Sequence, residues 1–252
     1  MSEIILENVS VEFPIYEVQA RRLIRTDLIR HHLGGDFGVD RNDHVVVKAL
    51  RDLTFTIPHG DRVGLIGHNG AGKTTLLRVM AGIYRPISGK LHVDGHVSPL
   101  FDIALGMELD ATGYENINIL GMLLGMTRSD IKRAIPAIEE FTDLREYLSL
   151  PVRTYSAGMQ MRLAFGLITS VKPEIVLLDE AIGTGDASFH HRMEQRMKAF
   201  LSQSSIMVLA THSDDLIRQF CNRAIVLEGG QAIFDGPVGE ALAFYHLHSD
   251  SP

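Results

Sequence analysis

The sequence predicts an α/β fold in which helices cover both faces of a mainly parallel sheet. In the last third of the chain, short apolar segments typical of strands alternate with segments of helical periodicity. Nearer the N-terminus, the apolar segment 62–66 enters a glycine-rich loop that a helical segment follows. Strands joined through helices pair in parallel, because the helix carries the chain back to the edge where the first strand began.

The predicted elements follow one another along the chain. Apolar and polar alternation, or short apolar runs between turn residues, predicts strands over residues 4–6, 9–13, 45–50, 53–57, 62–66, 90–93, 175–178 and 206–210. Helical periodicity predicts helices over 73–81, most of 112–150, a segment after Ser156, 187–201, a segment after Ser213 and the C-terminal residues. Pro136 is expected to interrupt the stretch 112–150, and residues 228–230 are expected to form a hairpin turn.

Composition and charge exclude several classes of protein. The chain has 252 residues, of which 45% are hydrophobic, and this suffices for a buried core. The net charge of −7 argues against a protein that coats nucleic acid, so we expect no nucleic-acid partner. A single cysteine, Cys221, excludes an intrachain disulfide and suits a reducing cytoplasm. The sequence contains neither a signal-peptide pattern nor an apolar run of about 18 residues, so we expect a soluble protein that reaches a membrane only through a partner chain.

Residues 67–75, with the sequence GHNGAGKTT, fit the phosphate-binding pattern G-x-x-x-x-G-K-[ST] and are called the phosphate loop below. Its glycines allow the backbone N–H groups to approach an anion at the start of a helix. Lys73 is expected to reach the β- and γ-phosphates, and the Thr74 hydroxyl to bind Mg²⁺. The predicted nucleotide contacts are Gly67, His68, Asn69, Gly70, Ala71, Gly72, Lys73, Thr74 and Thr75. The alternative is an ordinary glycine turn, and the pattern alone does not separate an ATPase from a kinase or a GTPase.

Two carboxylates end the apolar segment 174–180, EIVLLDE. A carboxylate at the carboxyl end of a strand near a phosphate loop can hold Mg²⁺, and Asp179 is the candidate for this role. Glu180 follows it and is placed to accept a proton from, or to orient, the attacking water. The alternative is a pair of solvated acids at the end of a strand. The combination with the phosphate loop favours hydrolysis of a nucleoside triphosphate.

Residues 155–165, YSAGMQMRLAF, resemble the signature of ATP-binding-cassette (ABC) ATPases and are called the signature segment below. The resemblance covers essentially the whole chain and implies an ATPase that uses ATP and Mg²⁺. It also implies a single nucleotide-binding domain over residues 1–252, with a P-loop NTPase (RecA-like) core, an antiparallel β subdomain and a helical subdomain over about residues 100–170. In this family the signature of one copy closes over the nucleotide held by the phosphate loop of another, so a second copy of the chain is an expected partner.

The resemblance assigns roles to further residues in this sequence. Ser156 and Gly158 match the signature positions that contact the γ-phosphate across the dimer, where the positive end of a helix also points at that phosphate. A plain helix cap is the alternative for Ser156. Ala157 and Met159 replace the usual glycine and glutamine, which we interpret as a subfamily variant. Asp186, in residues 181–186, matches the acid of the loop that links the two active sites.

Three more positions follow the family's order with differing fidelity. His212 matches the histidine that contacts the γ-phosphate, with a loop residue before the Ser213 cap as the alternative. Phe13 matches the aromatic residue that stacks on adenine, although it lies 54 residues before Gly67, about twice the usual spacing. A core-facing strand residue is the alternative for Phe13. Asp102 occupies the place of a glutamine that senses Mg²⁺; an acid there changes both charge and reach, but is still able to bind Mg²⁺ or position water, and Asp102 is therefore a third predicted metal ligand.

Within the family, the chain resembles ATPases that export bacterial polysaccharides such as O-antigen, capsule and teichoic acid. It rests on the signature spelling, on ATGYENI and LDEAIGTGD, and on a long insertion over residues 14–44. Within the insertion, residues 16–33 form an imperfect amphipathic pattern that includes four arginines, which suits contact with lipid head groups or an anionic glycan. A surface helix packed on its own domain is the alternative.

These observations predict an ATP-hydrolysing subunit that dimerises on ATP and drives a separate integral membrane permease. Its cargo is expected to be a lipid-linked polysaccharide, and its location the cytoplasmic face of the inner membrane, held there by the permease. Lipid or drug export is the alternative within the transporters. A soluble ABC ATPase for DNA repair or translation conflicts with the lack of a coiled-coil insertion or a second cassette, and a non-catalytic binding module conflicts with Lys73, Asp179 and Glu180.

Overall fold

The computed structural model describes residues 1–15, 36–39, 45–101, 106–179 and 187–249. The strands are β1 (Glu3–Pro14), β2 (Asp36–Val39), β3 (Val45–Ile57), β4 (Arg62–Ile66), β5 (Ser88–Asp94), β6 (Val97–Leu100), β7 (Ile175–Asp179), β8 (Ile206–Ala210), β9 (Arg223–Glu228) and β10 (Gln231–Pro237). The α-helices are α1 (Lys73–Met80), α2 (Gly113–Leu123), α3 (Arg128–Thr142), α4 (Ala157–Ile168), α5 (Ala187–Ser202), α6 (Asp214–Phe220) and α7 (Val238–Ser249). None of the helices in these ranges combines the length and the apolar character needed to span a bilayer.

The strands form two sheets of different kinds. A four-stranded sheet has the order β2-β3-β1-β5, and each of its pairs is antiparallel. A six-stranded sheet has the order β10-β9-β4-β8-β7-β6, in which β4 pairs in parallel with both β8 and β9. The predicted turn at residues 228–230 joins β9 and β10 as an antiparallel hairpin. The predicted α/β class, with a parallel core and an antiparallel β part, is therefore confirmed.

Strands β1 and β3 each combine two segments that the sequence predicts as separate strands. The polar residues between the segments, Asn8 in β1 and Asp52 in β3, adopt positive φ angles of 51° and 47°. Asn and Asp tolerate this conformation better than other non-glycine residues. The Asn8 N–H donates to Thr54 Oγ1 at 2.9 Å, and the Ser10 hydroxyl donates to Asp52 Oδ1 at 3.2 Å. These hydrogen bonds join β1 to β3 at both irregular positions. The register of the pair therefore shifts there, but neither strand ends.

The predicted interruption at Pro136 is wrong, because α3 continues through this residue. A proline inside a helix costs about 3 kcal/mol. The same helix buries Ile131 and Ile138 completely, each contributing roughly 1.5–3 kcal/mol, and this burial outweighs the cost. The helical stretch breaks earlier, between α2 and α3, where Gly125 has a φ of 79° and Thr127 opens the next helix with a capping box.

The chain forms two compact units, each with most of its contacts within itself. The first consists of residues 1–95, 177–180 and 205–252, and the second of residues 96–176 and 181–204. In the first unit, the central strands β4 and β8 supply a fully buried core. The second unit has its own core, in which helices α2, α3 and α4 contribute Ile117, Ile131, Ile138, Leu163 and Leu167.

Candidate functional site

The phosphate loop connects β4 to α1 in the first unit, and its backbone explains its glycines. Gly72 adopts a φ of 106°, and a Cβ at this position would lie 2.8 Å from the carbonyl oxygen of Ala49. At Gly67 a Cβ would lie 2.3 Å from the carbonyl oxygen of Leu227. Larger residues therefore clash at both positions. The tip of the loop, His68, Asn69 and Gly70, is exposed, so its backbone is accessible to a ligand.

The start of α1 is suited to an anion. No side chain caps this helix end, and its first turn contains no acidic residue. The N–H groups at a helix N-terminus carry a partial positive charge and attract phosphate. Lys73, at the first position of α1, is 9% exposed, and its ammonium donates to the carbonyl oxygens of Gly67 at 2.5 Å and His68 at 3.1 Å. A cation and a row of backbone donors therefore converge at the loop, as binding of a triphosphate requires.

A hydroxyl and a carboxylate meet next to the loop, although 105 positions separate them in the chain. The Thr74 hydroxyl on α1 donates to Asp179 Oδ2 at the carboxyl end of β7, at 2.8 Å. Both side chains are half-buried. Hydroxyl and carboxylate oxygens are the ligands that Mg²⁺ prefers, so the pair fits the ion that accompanies a bound triphosphate. Asp102, the third predicted metal ligand, lies outside the described residues.

His212 lies directly beside the phosphate-loop lysine. It follows β8 and the buried Thr211, whose Oγ1 accepts a hydrogen bond from the Ser213 N–H at 3.1 Å. This turn brings His212 Nε2 within 3.4 Å of Lys73 Nζ, and the imidazole is exposed. A position next to Lys73, the candidate phosphate ligand, is consistent with contact between His212 and a γ-phosphate, and that role stays a prediction.

Phe13 has an aromatic neighbour that sequence analysis missed. Its ring packs edge-to-face against Tyr84, with centroids 5.1 Å apart. Arg78, in the last turn of α1, donates to the Tyr84 hydroxyl at 3.3 Å and lies 5.8 Å from the centre of its ring. The helix that begins at the phosphate loop therefore supports the candidate adenine-stacking residue through Tyr84. An aromatic residue in the short turn after α1 is the only signal of this role in the sequence.

The signature segment belongs to the second unit, and its residues 156–158, at the start of α4, are exposed. Ser156 caps α4 by accepting a hydrogen bond from the Met159 N–H at 3.3 Å. Ser156, Ala157 and Gly158 are exposed, and within the part of the chain that the structure describes a Cβ at Gly158 would meet only the Ser156 hydroxyl, at 3.9 Å. The free approach to this helix end is consistent with a ligand held by another chain. Glu180, Asp186 and the segment 16–33 lie outside the described residues, and their predicted roles stay predictions.

Comparison with known proteins places the chain in a family. It matches the family described as ABC transporter over residues 50–183. An O-antigen export system ATP-binding protein, RfbE of Yersinia enterocolitica, is 47% identical over 91% of this chain and 96% of its own length. The ATP-binding protein RfbB of an O-antigen export system of Myxococcus xanthus is 41% identical over 81% of this chain and 46% of its own length. A teichoic acids export ATP-binding protein, TagH of Bacillus cereus, is 33% identical over 95% of this chain and 41% of its own length.

The chain therefore spans nearly the full length of one of these relatives and less than half of the other two. Solved structures share its fold at low identity. The ATP-binding subunit of an ABC transporter superposes with a TM-score of 0.69 and 20% identity over 98% of this chain and 95% of that one. A dimeric ATP-binding cassette bound to ADP and Pi superposes with a TM-score of 0.67 and 18% identity over 93% of this chain and 98% of that one. Family match, relatives and fold agree, and the chain belongs to the ABC transporter family as one of its ATP-binding subunits, an ABC ATPase.

Proposed function

We propose that this protein is the ATP-hydrolysing subunit of an exporter, that it dimerises on ATP, and that it drives a separate membrane permease. The observation that carries the proposal is the convergence of Lys73, Thr74, Asp179 and His212 at one phosphate loop. In the proposed state the protein lies at the cytoplasmic face of the inner membrane, attached to the permease. A lipid-linked polysaccharide such as O-antigen is the proposed cargo.

Each residue of the site has a distinct task in hydrolysis. The Lys73 ammonium and the N–H groups of the loop bind the β- and γ-phosphates and hold the γ-phosphoryl group in line with the attacking water. Thr74 and Asp179 would hold Mg²⁺, which neutralises charge on the phosphate oxygens when bound. Glu180 accepts the proton of the water whose oxygen bonds to the γ-phosphorus, while the bond to the bridging oxygen breaks and ADP leaves. His212 donates to a γ-phosphate oxygen.

The exposed start of the signature segment supports the proposed dimer. Ser156 and Gly158 present a hydroxyl and backbone N–H groups at the positive end of α4. In the dimer these groups contact the γ-phosphate held by the other copy, so each site is completed by two chains. ATP then stabilises closure because it bridges the copies, and hydrolysis removes the bridge.

The proposed cargo rests on the relatives and on one segment of the sequence. The relatives described above are ATP-binding proteins of O-antigen and teichoic acid export systems. Residues 16–33 carry four arginines, which suit anionic lipid head groups or glycans. We propose that this segment contacts the lipid-linked polysaccharide or the membrane surface. Lipid or drug export is the competing assignment.

The substitution Glu180→Gln tests the catalytic part of the proposal. Loss of the general base is expected to lower steady-state turnover by about 10²–10⁴-fold, while bound ATP remains intact and holds the dimer closed. Phosphate release and size-exclusion chromatography with ATP measure the two effects. Glu240→Gln, at an exposed carboxylate in the first turn of α7, is the matched control. An unchanged turnover in Glu180→Gln would remove this residue from catalysis.

A second experiment tests the cargo. In cells that lack the protein, lipid-linked polysaccharide is expected to accumulate inside, and the surface polysaccharide is expected to disappear. The wild-type gene restores export, whereas a Lys73→Ala variant does not, because its phosphate loop lacks the cation. Normal surface polysaccharide in the deletion strain would contradict polysaccharide export and favour lipid or drug export.

A further inference from the structure

Three helices of the second unit share a small aromatic cluster, formed by Phe141 of α3, Phe165 of α4, and Phe189 and Met193 of α5. The ring centroid of Phe141 lies 5.7 Å from that of Phe165 and 5.0 Å from that of Phe189. The cluster brings α5 alongside α4, the helix that begins with the signature segment. Apolar contact of this kind excludes water but is non-directional, whereas hydrogen bonds from a charged group add a defined geometry between the helices.

Arg196 of α5 supplies such a contact at the C-terminal end of α4. Its Nε donates to Thr169 Oγ1 at 2.6 Å, and its Nη2 donates to the carbonyl oxygen of Gly166 at 3.1 Å and to Ser170 Oγ at 3.0 Å. The guanidinium also lies 4.5 Å from the centre of the Phe141 ring. One side chain therefore joins α5 to the last turn of α4 and to α3.

The charge of Arg196 suits this position. A helix C-terminus carries a partial negative charge, so the cation stabilises the end of α4. Burial lowers the pKa of Arg196, which the nearby carboxylate of Glu140 opposes, and an arginine side chain remains charged in either case. The planar guanidinium reaches three acceptors at once, which the single ammonium of a lysine on a flexible stem does not reproduce.

The hydrogen-bonding groups around Arg196 also have other hydrogen-bond partners. Thr169 Oγ1 also donates to the carbonyl oxygen of Phe165 at 2.7 Å, and Ser170 Oγ donates to that of Gly166 at 2.6 Å. Removal of the guanidinium therefore leaves both hydroxyls and the carbonyl of Gly166 with a partner. A methionine at position 196 retains an apolar stem over Phe141, so the unit is expected to fold without the arginine.

We propose that Arg196 is a positioning residue that fixes the signature helix α4 to helix α5, and so sets the position of Ser156 in the site that the signature completes on the partner copy. The inference rests on the proposed function, in which Ser156 serves the nucleotide of the partner. Motion of either helix is then transmitted to the other as a rigid-body movement. Arg196 does not touch nucleotide, and its effect appears in the coupling between the two sites.

Kinetics of the full-length protein test the coupling. Arg196→Met is expected to lower kcat about tenfold and to shift the Hill coefficient for ATP towards 1. The Kd of a fluorescent ATP analogue, measured on dilute monomer, is expected to change less than about twofold, because the phosphate loop is intact. Arg196→Lys is expected to recover only part of kcat. Arg192→Met, at an exposed arginine of the same helix, is the matched control and is expected to behave as wild type.

The outcomes separate this inference from the proposed function. A wild-type protein without ATP turnover would overturn both. Turnover and a Hill coefficient unchanged in Arg196→Met would overturn the coupling role alone. If kcat, ATP affinity and melting temperature all fell in Arg196→Met, the role of Arg196 would be merely structural, and this result would also overturn the coupling role. Full recovery by Arg196→Lys would contradict the requirement for a planar fork.

Discussion

The phosphate loop and the signature segment are built in opposite ways. Around the loop, side chains from distant parts of the first unit converge: Lys73 is buried, Thr74 is bonded to Asp179, and His212 lies within 3.4 Å of the lysine. The signature segment begins a helix in the second unit, with an exposed serine and glycine, and among the described residues a Cβ at that glycine would meet only the serine hydroxyl. The loop is therefore organised within one chain, whereas the signature offers its donors outward. This difference favours a site completed by a second copy.

Lys73→Ala is expected to have the largest effect on this comparison. It removes the buried cation from the phosphate loop and leaves the signature helix untouched, so ATP hydrolysis should fall by about 100-fold or more. Phosphate release and ATP-analogue binding measure the loss. Lys198→Ala, at an exposed lysine that pairs with Glu194, is the control. Retained ATP binding and turnover in Lys73→Ala would contradict the proposed phosphate site.

A mixture of two inactive variants tests whether the regions act in trans. Ser156→Ala alone is expected to bind ATP normally as a monomer but to lose dimer-dependent turnover, with a cap loss of about 1 kcal/mol. When Ser156→Ala is mixed with Lys73→Ala, each heterodimer has one site with both defects and one intact site. Random mixing should therefore restore about a quarter of the wild-type turnover if the sites act independently. Recovery would require loop and signature to act across the dimer, whereas no recovery in mixtures shown to contain heterodimers would contradict two independent sites completed in trans.

Variants of Tyr84 test whether the first unit also supports Phe13, the residue predicted to stack on adenine. Tyr84→Leu removes the edge-to-face contact with Phe13, which is worth about 0.5–1.5 kcal/mol, so the Kd for ATP should rise about two- to tenfold. Tyr84→Phe keeps the ring and is expected to bind nearly as wild type. Because the sequence contains no tryptophan, Phe13→Trp introduces a single fluorescent reporter for this contact. Wild-type affinity for ATP in Tyr84→Leu would show that Tyr84 does not support base binding.

Cys221 is expected to have the smallest effect. Desolvation raises the pKa of its thiol from 9.0 to about 12, so at pH 8 the folded protein should react slowly with thiol reagents. The unfolded thiol ionises first, so this group stabilises the fold below about pH 9 and loses that contribution as the pH rises towards 12. Thiol labelling with and without denaturant measures the protection. Rapid labelling of the native protein would show that the first unit opens readily, and Cys221→Ala should leave turnover unchanged.

Most elements of the fold could be predicted because their signals are local. Apolar runs predicted β7 and β8 to within one residue, and Ser156 and Ser213 cap the helices that follow them. The errors arose where distant contacts decided the outcome. Pro136 remains inside α3 because Ile131 and Ile138 are buried against other helices, and β1 continues past Asn8 because Thr54 of β3 satisfies its N–H group.

The sequence by itself determined the kind of chemistry, since a phosphate loop, a strand ending in two carboxylates and a signature each depend on residue types at short, fixed spacing. The tertiary structure decided which of these residues meet. Lys73 approaches His212 across 139 positions, because parallel pairing of β4 and β8 aligns the carboxyl ends of those strands at one sheet edge. Thr74 contacts Asp179 across 105 positions, because β7 lies next to β8 in the same sheet. The support of Phe13 by Tyr84 and the bonding of Arg196 to α4 likewise depend on packing between elements, which no local pattern encodes.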